Sequence, residues 1–560
     1  MSRPAARWIA LAALAAGCGE GAETAARAKA GPPWFEECAS SRGLVFEHRS
    51  GHRERFLLPE IMCGGAALFD MDGDGDLDAY LVQAGSLPGT EDRPGNRLFA
   101  NRGDGTFDDV TDGSGAQVGG YGMGVAAGDY DDDGLTDLYV TNVGKNALLH
   151  NLGGGRFADV TDRAGVGDSN WSSSAAFVDY DADGDLDLFV VNYVRWSPAA
   201  EHDCDAPRGG ADYCSPKSYS APTPAVLYRN DGNGRFTDVS EAAGLRTAFG
   251  NGLGVVCADF DGDGREDVFV ANDGTPNQLW IQRQDGTFED RALASGCAMD
   301  MDGVAKAGMG VEAADVDDDG DFDLLVANLA GETDSLYRNQ RGQFSDRAAT
   351  AGIAAATSQF TRFGIGLVDF DDDGFLDLFV ATGRVTRSSD PDADPYSEEN
   401  LLFRGAAGGR LTEVLPRGGT TRRFVCTSRA AAIGDVDGDG ALDVLVVNRD
   451  APAHLLRNVA PQRGHWLSLR VQEKSGRDAL GAVVTMDAGG RRITRLVHSA
   501  FGYCTANDPR VHVGLGGATG VANVVVRWVG GTREAFDVPA CDRVVTLKRG
   551  TGHPAPEERR

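Results

Sequence analysis

One nine-residue arrangement, D-x-D-x-D-G-x-x-D, occurs seven times in this chain of 560 residues. Carboxylates at every second residue let a short loop curl around a hard cation, and Ca²⁺ takes six to eight oxygens. The candidate ligands are Asp70, Asp72, Asp74 and Asp78; Asp129, Asp131, Asp133 and Asp137; Asp179, Asp181, Asp183 and Asp187; and Asp259, Asp261, Asp263 and Asp267. The series continues with Asp315, Asp317, Asp319 and Asp323, then Asp369, Asp371, Asp373 and Asp377, then Asp435, Asp437, Asp439 and Asp443. Glycine at position six permits the sharp turn. The backbone carbonyl at position seven, from Asp76, Leu135, Asp185, Arg265, Asp321, Phe375 and Ala441, would add one more oxygen. About seven Ca²⁺ per chain are expected. An EF-hand would carry a bidentate glutamate at position 12, where the first two copies have Leu81 and Val140. Mg²⁺ accepts so many protein oxygens poorly.

Aspartate and glycine also populate ordinary turns, but a turn does not require the same 28 acidic positions in seven copies. Those 28 aspartates account for nearly all of the net charge of -31, which would be -3 without them. The acidity belongs to the loops and argues against a phosphate-coated partner such as DNA or RNA.

The elements that must hold these loops repeat with them, at spacings of 59, 50, 80, 56, 54 and 66 residues. A Gly-rich apolar strand enters each loop, as in residues 363–369, and a β-branched and aromatic strand leaves it, as in residues 187–192. A third strand follows (147–151, 335–339), and a glycine turn leads to a fourth marked by Phe107, Phe157, Phe236, Phe288, Phe344 or Leu411. Four short strands seven times over predict an all-β fold, a seven-bladed β-propeller. The seventh unit lacks a fourth-strand signature, while Trp34-Phe35-Glu36-Glu37-Cys38 has one to spare. The segment 34–46 is therefore expected to supply the closing strand of blade 7, so that no sheet edge is left open.

The Phe-Gly strand followed by the aspartate loop resembles FG-GAP/VCBS repeats, the units of integrin-α-like propellers, over roughly residues 34–460. That resemblance implies calcium-binding loops and is weak for activity. Beyond residue 464, period-two runs at 466–471, 482–486, 493–497, 510–515, 521–528 and 544–547 predict a small C-terminal β-sandwich over 464–550, with a tail at 551–560. Gly481-Ala482-Val483, Gly502-Tyr503, Asn507-Asp508, Val513-Gly514-Leu515-Gly516 and Val524 to Trp528 together resemble the ASPIC/UnbV domain, although Val529 stands where that domain commonly has proline. Propeller followed by this domain is similar to the cartilage acidic protein family.

The first residues read as an export signal: Arg3 and Arg7, a short apolar stretch, then Ala15-Ala16-Gly17-Cys18. Residues 1–18 resemble a lipoprotein-type signal peptide, with Cys18 acylated as the new N-terminus and 19–33 as a tether; cleavage at the small residues 26–30 is the alternative. The expected location is outside the cell, at an outer membrane or cell surface through the lipid, otherwise secreted. No later stretch approaches 18 apolar residues. Export permits disulfides. Of ten cysteines, Cys204 and Cys214 share one insertion and are the best-supported pair, Cys504 with Cys541 a weaker one, and Cys257 and Cys426 sit in apolar strand patterns.

No H-E-x-x-H zinc pattern, G-x-S-x-G elbow or phosphate-cradling loop occurs, and the nine histidines are scattered. Arg102-Gly103-Asp104 occupies the same turn as Leu152-Gly153-Gly154 in the next blade and reads as a turn. In an antiparallel blade the aspartate loops and glycine turns share one face. The opposite face collects the variable connections, longest at 193–224 and 383–400, and long loops on a rigid scaffold are where recognition sits. The sequence thus points to a calcium-binding surface or adhesion module for a protein or glycan, engaged on the face opposite the loops. The alternatives are a structural scaffold and a Ca²⁺-dependent polysaccharide-cleaving enzyme. Such an enzyme would set a Lys, Arg, Tyr or His beside the metal in one blade, and the loops are too alike to nominate one.

Overall fold

The computed structural model describes residues 31–85, 87, 95–207, 209–388 and 394–555. Seven antiparallel sheets carry the aspartate repeats. Their inner strands are Ala66–Phe69, Tyr121–Gly128, Ser172–Val178, Gly252–Ala258, Val311–Ala314, Arg362–Val368 and Ser428–Gly434. Each inner strand packs on the next, and the seventh returns to the first, so the ring closes. The chain is an all-β, seven-bladed propeller with a smaller β-domain after it.

The ring closes by exchange between chain ends. Phe35–Glu37 pairs antiparallel with His454–Asn458 as the outer strand of blade 7, with Phe35 opposite Asn458. Phe35 is 1% exposed and stands edge-on to Phe370 and Phe379, with ring centroids 5.2 and 5.9 Å away. A buried aromatic side chain thus anchors this strand in addition to its hydrogen bonds.

After the ring, His465–Gln472 forms the centre of a three-stranded sheet between Val511–Gly516 and Arg543–Lys548. A second sheet runs in the order Arg491–Leu496, Val483–Ala488, Ala522–Arg527, Arg533–Phe536, His553–Pro554. Leu467, Leu469, Val484, Met486, Val524, Val526 and Trp528 fill the space between them. The last two strands escaped the sequence patterns because Arg533–Phe536 is half-exposed throughout and His553–Pro554 is exposed, so neither alternates.

The sandwich does not hang free. Residues 499–508 leave it and fill the axial channel of the propeller. Thr505–Ala506 adds in parallel to the inner strand of blade 1. Gly502 exchanges two backbone hydrogen bonds with Val311 of blade 5. Asn507 and Asp508 bind the backbone of Ile433 in blade 7. This threading explains the glycines of the inner strands: a Cβ on Gly124 would stand 2.9 Å from the Cα of Cys504, and one on Gly310 3.1 Å from the carbonyl carbon of Gly502. Cys504 is 1% exposed inside the channel, whereas Cys541 lies at the edge of the sandwich. The Cys504–Cys541 pairing is therefore corrected, since the two sites are occupied by different parts of the fold and both thiols are free. Cys204 and Cys214 are joined, with Cα atoms 5.3 Å apart.

Candidate functional site

In each aspartate loop the side chains first fold the loop itself. The position-one carboxylate accepts the amide of the position-six glycine, as Asp70 does from Gly75 and Asp129 from Gly134. The position-five carboxylate accepts the amide two residues on, as Asp74 does from Asp76 and Asp373 from Phe375. Position nine is a double acceptor in every blade. Asp78 takes the amides of Met71 and Asn101; Asp443 takes those of Val436 and Asn458. These buried carboxylates staple the loop to the third strand of the same blade.

The end of the third strand continues the staple into the neighbour. The Asn101 amide group donates to Leu77 O of its own loop and to Val436 O of the blade 7 loop. Asn151, Asn230, Asn339 and Asn458 repeat the pattern, and Gln282 does so in blade 4 by reaching Tyr180 O. Blade 6 has Gly405 at this place and lacks the side chain. Sequence reasoning passed over these residues, although an Asn closing the third strand of five units was the available signal.

What remains unused in the loops is a set of converging oxygens. Asp70, Asp72 and Asp78, and likewise Asp179, Asp181 and Asp187, bring one carboxylate oxygen each within 4.8 Å of one another. Buried oxygens of Asp179, Asp259, Asp371, Asp435 and Asp437 have no hydrogen-bond donor. A buried carboxylate oxygen without a donor is costly unless a cation meets it. Burial, reinforced by neighbouring loop carboxylates, pushes Asp129 and Asp179 up to about 7 and Asp435 to about 6. The donor set is all oxygen and carries several negative charges, which fits a hard divalent cation.

The loops are not electrostatically alike. Arg404 Nη2 lies 2.8 Å from Asp371 Oδ2 and 2.9 Å from Asp373 Oδ2 in blade 6. Arg338 Nη1 lies 2.7 Å from Asp317 Oδ2 in blade 5, and His150 Nδ1 is 3.2 Å from Asp137 Oδ1 in blade 2. Arg265 pairs with Asp263 in blade 4 and Arg457 with Asp437 in blade 7 as well, so basic side chains stand beside loops in most blades and this feature singles out none of them.

A second kind of aspartate distinguishes blades 2, 5 and 6. Position four is left-handed, filled by Gly73, Ala182, Gly262 and Gly438 in blades 1, 3, 4 and 7 and by Asp132, Asp318 and Asp372 in blades 2, 5 and 6, with φ of 59°, 62° and 55°. Aspartate tolerates this conformation better than most residues. Each of the three meets the C-terminal domain. Arg477 Nε donates to Asp132 Oδ1 at 2.8 Å and its Nη2 to Gly184 O of blade 3. Arg491 Nε donates to Asp318 Oδ2 at 2.8 Å, its Nη1 to Gly374 O of blade 6, and its guanidinium covers the Phe375 ring. His512 Nε2 is 2.8 Å from Asp372 Oδ1. Arg470 at Asp70, Arg527 at Asp259 and Arg463 at Asp439 reach blades 1, 4 and 7. Every loop is touched, and one domain reads the whole face.

The opposite face is closed by irregular segments that interlock. The 193–224 connection sends Glu201 to the amide of Leu58, at the head of the helix Leu58–Met62, and to the indole of Trp196. Asp212 accepts from Tyr396 Oη at 2.7 Å and from the amide of Arg387, so the two long connections grip each other across the ring. Arg429 is fully buried beneath them, over the Phe363 ring, and donates to the carbonyls of Ile61, Gly383, Ser428 and Arg384. Burial lowers it to about 10. Tyr503, the tip of the channel segment, donates to Met62 O at 2.6 Å, so the channel is filled from one mouth to the other. Beside this cap a pocket of about 540 Å³ opens between the connections of blades 1, 2 and 3, lined by Gln83, Tyr121, Asn170, Trp171, Arg195 and Trp196 among others.

These features define a repeat propeller with a docked C-terminal domain. The family model described as FG-GAP-like repeat matches residues 70–140, 129–190, 212–270, 259–326, 315–380 and 369–446, and that described as ASPIC and UnbV matches residues 472–554. The chain belongs to the FG-GAP-like repeat family and ends in an ASPIC and UnbV domain. It is similar to cartilage acidic protein 1 of Xenopus tropicalis, 28% identical over 295 residues, which cover 50% of this chain and 42% of that one. The human protein of the same name is 26% identical over 314 residues, covering 52% and 43%. The chain spans less than half the length of these curated relatives. Among solved structures, the BP39L lectin from Burkholderia pseudomallei is 12% identical with a TM-score of 0.43, covering 71% of this chain and 97% of the lectin. BBS1N in complex with ARL6DN is 10% identical with a TM-score of 0.39, covering 75% and 98%. Among the described residues no helix is long and apolar enough to cross a membrane. Residues 1–30, with the export signal and Cys18, lie outside the described residues.

Proposed function

We propose that the chain is an exported, calcium-loaded binding module that engages a protein or glycan on the face opposite its aspartate loops. The observation that carries this reading is the unequal fate of the two faces. A domain of the same chain touches every loop on one face, while the other keeps a pocket lined by Trp171, Trp196 and Tyr121 with the amides of Gln83 and Asn170. Trp171, Tyr121 and Gln83 form its buried wall, and the parts open to a ligand are Trp196, Arg195 and Asn170, an aromatic edge beside polar groups of the kind binding pockets use. In each of the seven loops the carboxylates at positions one, three, five and nine, with the carbonyl at position seven, would hold one Ca²⁺. Bound there, the ion would neutralise a repulsion of several kcal/mol between carboxylates at an effective dielectric near ~20. Residues 1–18 would direct export, and acylation of Cys18 would hold the module at a surface through the 19–33 tether.

The test is a binding screen of the mature chain, in millimolar calcium, against glycan and surface-protein panels, repeated with Trp196→Ala and Arg195→Glu. Binding by the wild type that both variants lose supports the reading. A ligand held equally well by both variants sits elsewhere and overturns the assigned face.

A further inference from the structure

We propose that His465, Cys541 and Asp542 form a binding site for one borderline-soft divalent metal ion, Zn²⁺ by its chemistry, separate from the aspartate loops. The three residues come from chain segments more than seventy residues apart. Parallel pairing of His465–Gln472 with Arg543–Lys548, in the register Leu467 with Arg543, sets the starts of the two strands side by side. His465 opens the first strand, and Cys541 and Asp542 immediately precede the second.

The local backbone holds the carboxylate in place. The Asp542 amide donates to Trp466 O at 2.7 Å, and the Trp466 amide donates to Asp542 Oδ1 at 3.2 Å. Asp542 adopts φ 56°, in the left-handed region, to make both bonds. Its other oxygen, Oδ2, is then 2.8 Å from His465 Nδ1 and 3.5 Å from Cys541 Sγ. One imidazole nitrogen, one sulfur and one carboxylate oxygen lie within 4.8 Å of one another. A single ion with bonds of about 2.0 to 2.3 Å spans a triangle of that size.

The donor types decide which metal. Ca²⁺ and Mg²⁺ take oxygen and not sulfur, so the ion assigned to the loops does not compete here. Thiolate with imidazole and carboxylate suits Zn²⁺. Three protein donors leave a fourth position for water or a donor from outside. The site faces solvent, with His465 and Asp542 side chains 41% and 45% exposed, so metal has access. Neither a zinc motif nor a local cysteine pair marks it in the sequence, because the sheet register alone brings the donors together.

The test uses the mature full-length chain, saturated with Ca²⁺ so that the oxygen loops are filled. Zn²⁺ is titrated against a chromophoric chelator, and Co²⁺ is used as a spectroscopic substitute. The expected result is one equivalent of tightly bound Zn²⁺ and a near-ultraviolet thiolate-to-cobalt charge-transfer band. Cys541→Ser should abolish the band, and His465→Ala, which removes a direct ligand, should weaken Zn²⁺ binding by more than the roughly 10- to 100-fold that loss of an outer-shell partner costs. The residues lie at the surface, so melting of both variants should match the wild type in Ca²⁺. Absence of the band in the wild type, or a band and stoichiometry unchanged in Cys541→Ser, overturns the proposal.

Discussion

The two faces of the ring are built on opposite principles. The loop face repeats one arrangement seven times, and among its departures are the three places where Asp132, Asp318 and Asp372 meet Arg477, Arg491 and His512. The far face repeats nothing: the helix Leu58–Met62, the Cys204–Cys214 insertion and the 383–400 connection are held by contacts found once each, such as Tyr396 on Asp212. Identical loops suffice to build a ring but give a second domain no unique orientation. Added charge at position four in three blades of seven, together with the threaded segment 499–508, marks out one orientation. The far face gains individuality through insertion length, and the loop face gains it through single substitutions.

The largest effect should come from stripping metal from the regular face. On the proposed reading the folded loop binds Ca²⁺ and the unfolded chain hardly does, so each site filled at about 100 times its Kd would contribute roughly 2.7 kcal/mol. Seven such contributions exceed the usual net stability of about 5 to 15 kcal/mol. Chelation with EDTA should lower the melting temperature by roughly 10 °C or more. Unchanged melting, with elemental analysis finding one calcium or none in protein prepared in millimolar Ca²⁺, would remove calcium from the account of this face.

The two faces are tied together by the channel segment, which Tyr503→Ala should loosen. This ring is fully buried, stands edge-on to Phe363 at 4.9 Å and closes the hydrogen bond to Met62. Its loss should cost about 3 to 5 kcal/mol and expose the linker near residue 462 to protease. A variant that melts and resists protease like the parent would mean that the arginine contacts alone hold the domain.

Those contacts are a smaller matter. Arg477 is nearly buried yet pairs with the more exposed Asp132, so Arg477→Ala should cost about 1 to 3 kcal/mol. A double-mutant cycle with Asp132→Asn should return a coupling above 0.5 kcal/mol that falls as salt is raised. Zero coupling would leave position four without its orienting role.

The smallest effect belongs to the far face. His48 is fully buried beside Gly64, and burial lowers it to about 4, with Arg449 and Arg429 adding to the shift against Asp450. Its folded value lies below the unfolded one of about 6.5. The stability it contributes is therefore complete above pH 6.5 and lost progressively as pH falls toward 4. Between pH 7 and 5.5 the wild type should lose about 1 kcal/mol more than His48→Gln, measured by denaturant unfolding in saturating calcium. Equal losses would mean that His48 does not titrate in that range.

The sequence by itself determined the ring. Spacing of Asp70, Asp72, Asp74 and Asp78 and of their six copies fixed the loops, strand count gave seven blades, and the spare Trp34-Phe35 signature marked a fourth strand without a home. These features are local and periodic, and period is visible without coordinates. The asparagines closing the third strands and the aspartates at position four were written in the same lines, but their partners lie in another blade or domain, so their meaning was not. Only tertiary structure decided that residues 499–508 fill the channel, that arginines of the last domain and Arg463 just before it reach all seven loops, and that His465 stands beside Cys541 and Asp542. Each of these depends on which surfaces of two separately patterned units fit together. That choice is made by shape and charge across the interface, and hydrophobic periodicity within one strand carries no information about it.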